Sequence, residues 1–306
     1  MRIVRGLETF PRETAGVVVA LGAFDGIHLG HREILGVTVE RARALRVPSL
    51  ACTFDPRPEE VLQPERAPLP ITNLEERLEL IARAGIDTTV VLPFTRALAE
   101  VEPEAFIEDV MLRGLGAREI VVGFNHRFGR RARGDAAMLE ALAERLGFRA
   151  HVVPPLSVEG DPVSSTEIRL ALQRGDVERA NRLLGREYSL AGEVVRGAGR
   201  GRTLGFPTAN VRPERSPLVP LGVYACRAQV KGVVHKAVVN LGRQPTFGDN
   251  DVAIEAHLLD FQGELYGNRV ALALVRRLRA EMKFPSVDAL RKQIAADVAE
   301  ARRLLD

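Results

Sequence analysis

The hydrophobic period of this chain changes once, and that change constrains the fold more than any other feature. Up to about Leu184, short apolar runs alternate with helical patterns. Val17–Leu21, Ser49–Phe54, Thr88–Leu92, Glu119–Val122 and Ala150–Val153 read as strands. Helices are expected over 31–45, from the capping boxes at Thr72 and Asn73 to Ala84, from Pro103 to about Arg113, and over 135–146. Repeated β-α units predict an open parallel sheet covered by helices, with ligands at the carboxyl ends of the strands. Two short helices follow, Thr166–Gln173 and Asp176–Leu184. From Tyr188 the period becomes two. Ser189–Val195, Gly222–Val230, Val233–Leu241, Val252–Leu259 and Arg269–Val275 read as strands parted by Gly, Pro and Asn turns. That pattern predicts a small antiparallel barrel or sandwich. Ser286 caps a last amphipathic helix to Leu305. The expected fold is therefore α/β in two domains, 1–184 and 185–306, within the size range of domains that fold alone.

Composition narrows the function classes. With 46% hydrophobic and 27% charged residues the chain is neither disordered nor collagen-like. Two cysteines, Cys52 and Cys226, both in apolar stretches, exclude a disulfide framework and a Cys-based zinc site. Reduced thiols fit a cytoplasmic protein. The N-terminus lacks the apolar core of a secretory signal, and no apolar run reaches the roughly 20 residues of a membrane span. A net charge of +3 suits an anionic ligand but does not argue for nucleic acid. The basic run RFGRRARG, 127–134, is short, carries one aromatic and reads as a solvated loop or a phosphate-binding flap rather than an RNA site.

Four segments carry candidate chemistry. GAFDGIHLGH, 22–31, leads from the first buried strand into a helix. Gly22, Gly26 and Gly30 allow close backbone approach to a phosphate, and the free N–H groups of a helix start favour anions. His28 and His31, three residues apart, share a helix face and can stabilise charge on a phosphoryl group. The alternative is a Gly-rich turn with incidental histidines. SSTEIR, 164–169, is either a simple cap or a second phosphate grip built from hydroxyls and Arg169. In GRGRTLGFPTAN, 199–210, a basic loop precedes Thr208 and Asn210, oxygen donors that suit Mg²⁺. Its alternative is a solvated hairpin loop. In VAIEAHLLD, alternation sets Glu255 and His257 opposite Val252, Ile254, Ala256 and Leu258. If the apolar face is the core, Glu255 points to solvent. That is the default from the residues alone, beside a role as general base.

Taken together and in order, these motifs are specific. The chain resembles the prokaryotic bifunctional riboflavin kinase/FAD synthetase family through GAFDGIHLGH, TFDPRPEEVL, TNLEERLELIARAGID, VGFNHRFGRRARGD and SSTEIRLAL. The resemblance continues through LLGREYSLAGEVVRG, GRTLGFPTANV, GVYA, PTFG, IEAHLLDFQGELYG and VRRLRAEMKFPS. It implies that the C-terminal domain phosphorylates riboflavin to FMN with ATP, and that the N-terminal domain adenylylates FMN to FAD. It implies ATP contacts at Gly22, Phe24, Asp25, His28, Gly30, His31, Ser164, Thr166 and Arg169, with His28, His31 and Arg169 catalytic. In the kinase it implies ATP at Gly199, Gly205 and Thr208, Mg²⁺ on Thr208 and Asn210, and Glu255 as base, against the solvated default. Flavin would border Phe54, Pro56, Pro58, Asn125 and Phe128. Ala23, His126, Leu241 and Gln244 depart from the common family pattern; family members usually carry Asn at the first, and often an Asp-Phe or Asn-Phe pair where Asn125-His126 stands. Two other classes compete. A different HxGH nucleotidylyltransferase leaves GFPTAN and Glu255 idle. A nucleic-acid-binding protein predicts salt-sensitive binding without ATP turnover.

Overall fold

The structure is a computed structural model that describes residues 1–11, 15–197, 201, 204–243 and 252–306. Gly199, Gln244 and the PTFG segment lie outside the described residues. The chain divides into two compact units, Met1–Ser165 and Thr166–Asp306. The helices Ser165–Arg174 and Val177–Leu184 thus fall almost wholly in the second unit, although the change of period comes after them.

The first unit is built on a six-stranded sheet. Its strands are β1 (Arg2–Arg5), β2 (Val17–Leu21), β3 (Ser49–Phe54), β4 (Thr88–Leu92), β5 (Ala117–Gly123) and β6 (Arg149–Val153). They lie in the order β1-β4-β3-β2-β5-β6, and every pairing is parallel. β2 and β3 are buried along their whole length, because helices cover both faces. Val17, Val19 and Leu21 enter one core cluster, and Val18 and Ala20 the other. From β2 the chain crosses to β3 on one side, while β5 leads on to β6 on the other. The strand order therefore reverses at β2, and the turn after β2 is where such sheets bind ligands.

β1 is unforeseen by the sequence pattern; it is a short edge strand held by β4. The helix expected from Pro103 is one α-turn, Pro103–Ala105, followed by a π-helix, Phe106–Gly114. There Leu115 N–H reaches the Val110 carbonyl, one residue beyond the α pattern. The wider turn points Phe106, Ile107, Met111 and Leu115 into one core. After β6 come the two-residue strands β7 (Ser157–Val158) and β8 (Asp161–Pro162), which pair as a hairpin.

The second unit is a closed antiparallel barrel. Its strands are β9 (Tyr188–Val195), β10 (Ala209–Pro213), β11 (Gly222–Val230), β12 (Val233–Arg243), β13 (Val252–Leu258) and β14 (Arg269–Arg279). The order is β10-β13-β12-β11-β14-β9, closed by β9 on β10. Register shifts between β11 and β14 supply local bends. β10 begins within the segment 199–210 that reads as a loop and runs three residues beyond it. The helix Val287–Leu305, capped by Ser286, packs Val298, Ala301 and Leu305 over Val223, Ala225 and Val238 on the outer wall. Arg279 and the buried Asp297 form an ion pair at 2.8 Å that ties this helix to β14. Among the described residues no helix is long and apolar enough to cross a membrane.

Candidate active sites

In the first unit, the Gly22–His31 turn leaves the carboxyl end of β2. Gly22 N–H still bonds the Cys52 carbonyl of β3, at 3.1 Å. Beyond it Phe24 (φ 52°) and Ile27 (φ 38°) adopt the left-handed region, which side chains rarely tolerate without restraint. The restraint is Asp25, which is 5% exposed. Its carboxylate accepts from Ile71 N–H at 2.9 Å, Thr72 N–H at 3.1 Å and the Arg57 guanidinium at 3.2 Å. Gly26 N–H adds a bond to Thr72 Oγ1 at 3.0 Å. Arg57 is buried too, so removing one partner of this pair would cost about 3–5 kcal/mol.

The turn delivers His28 as the N-cap of the helix Leu29–Leu45. His28 Nδ1 accepts from His31 N–H at 3.2 Å, which places the proton of the neutral ring on Nε2. The two imidazoles stack with centroids 3.6 Å apart and planes 16° from parallel, and Phe24 meets His31 edge-on at 5.3 Å. Gly30 makes this possible, because a Cβ there would stand 3.3 Å from the His28 ring. The result is a pair of stacked nitrogen donors at a helix N-terminus, a site for anions. Ser165 Oγ donates to the Asp25 carbonyl at 3.0 Å, so the middle of the SST stretch meets the base of the turn.

In the second unit the face of β13 that carries Glu255 is covered. Glu255 lines a cavity of about 390 Å³ with Thr208, Asn240, His257, Arg279 and Asp297. The apolar side of the cavity is Val223, Val238, Met282, Phe284, Leu290 and Ile294. The alternation along β13 is as read, but the C-terminal helix and the segment before β10 lie over that face. Register places Asn210 of β10 and Asn240 of β12 opposite Glu255 on its two sides. His257 holds the Pro207 carbonyl through Nδ1 at 2.8 Å and meets Phe206 edge-on, which fixes the segment carrying Thr208. Thr208 also lines a second cavity of about 240 Å³, with Pro207, Ala209, Phe261, Leu265 and Tyr266. A residue that borders two cavities, beside a carboxylate in one of them, is an arrangement for passing a group from one ligand to another.

Residues 10–167 match the FAD synthetase family and residues 184–305 the riboflavin kinase family. The chain belongs to the bifunctional riboflavin kinase/FMN adenylyltransferase family. The bifunctional riboflavin kinase/FMN adenylyltransferase of Pseudomonas fluorescens is 38% identical over 305 residues, 99% of this chain and 98% of that protein. That of Haemophilus influenzae is 35% identical over 303 residues, with the same coverage. A crystal structure described as a macrolide-efflux protein from Streptococcus pneumoniae superposes with a TM-score of 0.90 at 31% identity, over 99% of both chains. Members of this family phosphorylate riboflavin in the C-terminal domain and adenylylate FMN in the N-terminal one, and both reactions belong to this chain.

The structure brings together His28, Gly30 and His31, and in the barrel Thr208 with Glu255. Asn210 stands opposite Glu255 in the register and also borders a third hollow, with Val195 and Arg212. Thr166 is exposed and Arg169 half-buried, on the helix Ser165–Arg174. Gly205 turns with φ 87° ahead of Phe206. Phe54 and Phe128 are core residues, whereas Pro56 and Asn125 are exposed and Pro58 is half-buried. Phe54 ends β3, and the other four lie just past the carboxyl ends of β3 and β5. His126 explains its own departure from the family pattern. Its ring stacks on Phe128 at 6.0 Å, its Nε2 is buried without a partner, and burial pushes its pKa down to about 4. The neutral ring serves there as an aromatic.

Sequence reading missed Arg57, Arg77, Asn240 and His257. For Arg77 a signal existed. Leu74, Arg77, Leu78 and Ile81 follow the spacing of one helix face, so an arginine stands where the period asks for an apolar residue. Asn240, a polar residue within the run AVVNL, is a weaker sign of the same kind.

Proposed function

We propose that the two cavities meeting at Thr208 hold flavin and ATP, and that Glu255 is the base of the kinase. The observation that carries this is Thr208 lining both cavities with Glu255 in the larger one. The apolar wall of the larger cavity suits the flavin ring, which directs the ribityl chain toward Glu255. The Glu255 carboxylate takes the proton of the 5′-hydroxyl as that oxygen attacks the γ-phosphorus and ADP leaves. Thr208 and Asn210, with ATP oxygens, supply the hard donors Mg²⁺ prefers, and the ion would offset phosphate charge. The donors fit, since a cation that keeps several waters needs few protein ligands.

In the first unit, the His28 Nε2–H, the His31 ring and the helix N-terminus receive the ATP phosphates, with Ser164, Thr166 and Arg169 as further contacts. FMN brings its own phosphate nucleophile, so the protein orients two anions and stabilises charge at the α-phosphorus while pyrophosphate leaves. Pro56, Pro58 and Asn125 border the flavin, backed by Phe54 and Phe128. We place the functional boundary at Leu184 and the protein in the cytoplasm, with ATP, riboflavin, FMN and FAD as its ligands and neither nucleic acid nor membrane as a partner.

The test is a flavin product assay with MgATP. Glu255→Gln abolishes most FMN formation from riboflavin yet converts supplied FMN to FAD. His28→Ala or His31→Ala does the reverse, losing on the order of 10²–10³-fold in FAD formation. Parental activity in Glu255→Gln would return Glu255 to a structural role.

A further inference from the structure

Arg77 stands at the junction of two loops without belonging to either. Its side chain is 3% exposed. Nη1 donates to the Ala23 carbonyl at 2.7 Å and Nη2 to the Phe54 carbonyl at 3.0 Å. The Asp55 carboxylate lies 3.9 Å away, and burial lowers the pKa of the guanidinium from its ordinary value. Ala23 opens the turn to His28, and Phe54 opens the segment to Pro56 and Pro58. One side chain therefore grips the exits of two adjacent parallel strands. The Ala23 carbonyl takes a second bond, from Thr53 Oγ1 at 3.1 Å. In a trans peptide the C=O and N–H point in opposite directions. Two donors on the Ala23 carbonyl thus turn the Phe24 N–H away from Arg77. That N–H makes no hydrogen bond within the described residues.

We propose that Arg77 is a positioning residue for adenylyl transfer, which fixes the nucleotide turn and the flavin-side segment in one mutual placement through the Ala23 and Phe54 carbonyls. The inference rests on the assignment of Gly22–His31 as the ATP turn. A planar fork suits the task, because its two ends reach two carbonyls at once while an ammonium is a single point. The left-handed Phe24, one residue past the clamp, is the part of the turn that relaxes first when the clamp is lost.

The experiment measures FMN-to-FAD kinetics on full-length Arg77→Met, Arg77→Lys and Thr53→Val, with riboflavin phosphorylation by the same preparations as an internal measure of folded protein. Misplacement of reacting groups by about 1 Å costs on the order of 100-fold, so Arg77→Met loses about that factor in kcat, with KM for ATP and FMN nearly unchanged. Arg77→Lys recovers about tenfold of the loss, since it keeps the charge and one carbonyl. Thr53→Val loses less, and in the double variant Arg77→Met/Thr53→Val its loss does not multiply with that of Arg77→Met, because each removes a donor from the Ala23 carbonyl. A lower Tm with parental kcat in Arg77→Met would overturn the proposal, as would independent, multiplying losses in the double variant. If Arg77→Met fails to fold, Arg77→Lys and Thr53→Val decide, since both retain the buried cation. His31→Ala run alongside separates the two assignments. If it loses FAD formation while the Arg77 and Thr53 variants keep theirs, the ATP turn stands and the Arg77 role falls.

Discussion

Replacing His126 by Phe should stabilise the first unit, and by more as the pH falls. The folded-state pKa is about 4, set by burial of the ring. An unfolded histidine titrates near 6.5, so between these values the unfolded chain holds a proton that the folded chain does not. Folding stability then falls as pH is lowered through that window, and the loss at pH 5 relative to pH 7 is about 2 kcal/mol. Below pH 4 the folded form also takes the proton, and the penalty levels off at about 3 kcal/mol. Part of the ring remains accessible, so these figures are ceilings. Phe also removes the unpartnered Nε2, which adds about 1 kcal/mol at every pH. The measurement is urea unfolding of parent and His126→Phe at pH 7 and pH 5, followed by circular dichroism. Every other histidine is common to both proteins and cancels in the difference. The gap between the two should widen by about 2 kcal/mol from pH 7 to pH 5. An equal gap at both values would show that His126 is solvated and protonates freely in the folded protein.

Two further outcomes follow from the packing. Asn181 accepts from Tyr188 N–H at 2.7 Å and donates to the Leu274 carbonyl at 2.9 Å, while Val177, Ala180, Leu183 and Leu184 are buried. A fragment Thr166–Asp306 should therefore fold and make FMN but no FAD, whereas one beginning at Gly185 should melt at least about 5 °C lower; equal melting temperatures would show that these helices do not support the barrel. Glu119 accepts from Arg41 at 2.8 and 2.9 Å and pairs with His151 at 2.6 Å, and the Arg41 hydrogen bonds hold its carboxyl below the usual carboxylate range. That stability is present above about pH 4.3 and is lost as pH falls through the depressed value, so Glu119→Gln should destabilise at pH 7 and approach the parent in acid, read from Tm against pH.

What the chain determines locally is what its neighbours in sequence can enforce. The Asn73–Glu76 capping box forms as the spacing predicts, with bonds of 2.8 and 3.0 Å in both directions. His28 and His31 are legible for the same reason, since a Gly-rich turn and a helix start bring them together within three residues. The alternation in β13 likewise assigns Glu255 its face. Whether that face meets water is decided elsewhere, by a helix that begins only at Val287 and covers the outer wall of the barrel. β10 is illegible as a strand because Ala209–Pro213 has little apolar pattern of its own; β9 and β13 on either side supply its hydrogen bonds. Arg77 shows the limit most clearly. Its position on an apolar helix face could be read, but the two carbonyls that justify a buried charge come from a turn 54 residues and a strand end 23 residues earlier in the chain. Periodicity and capping act over a few residues and are written in the sequence, whereas the partners that make a buried polar group affordable exist only once distant segments have closed around it.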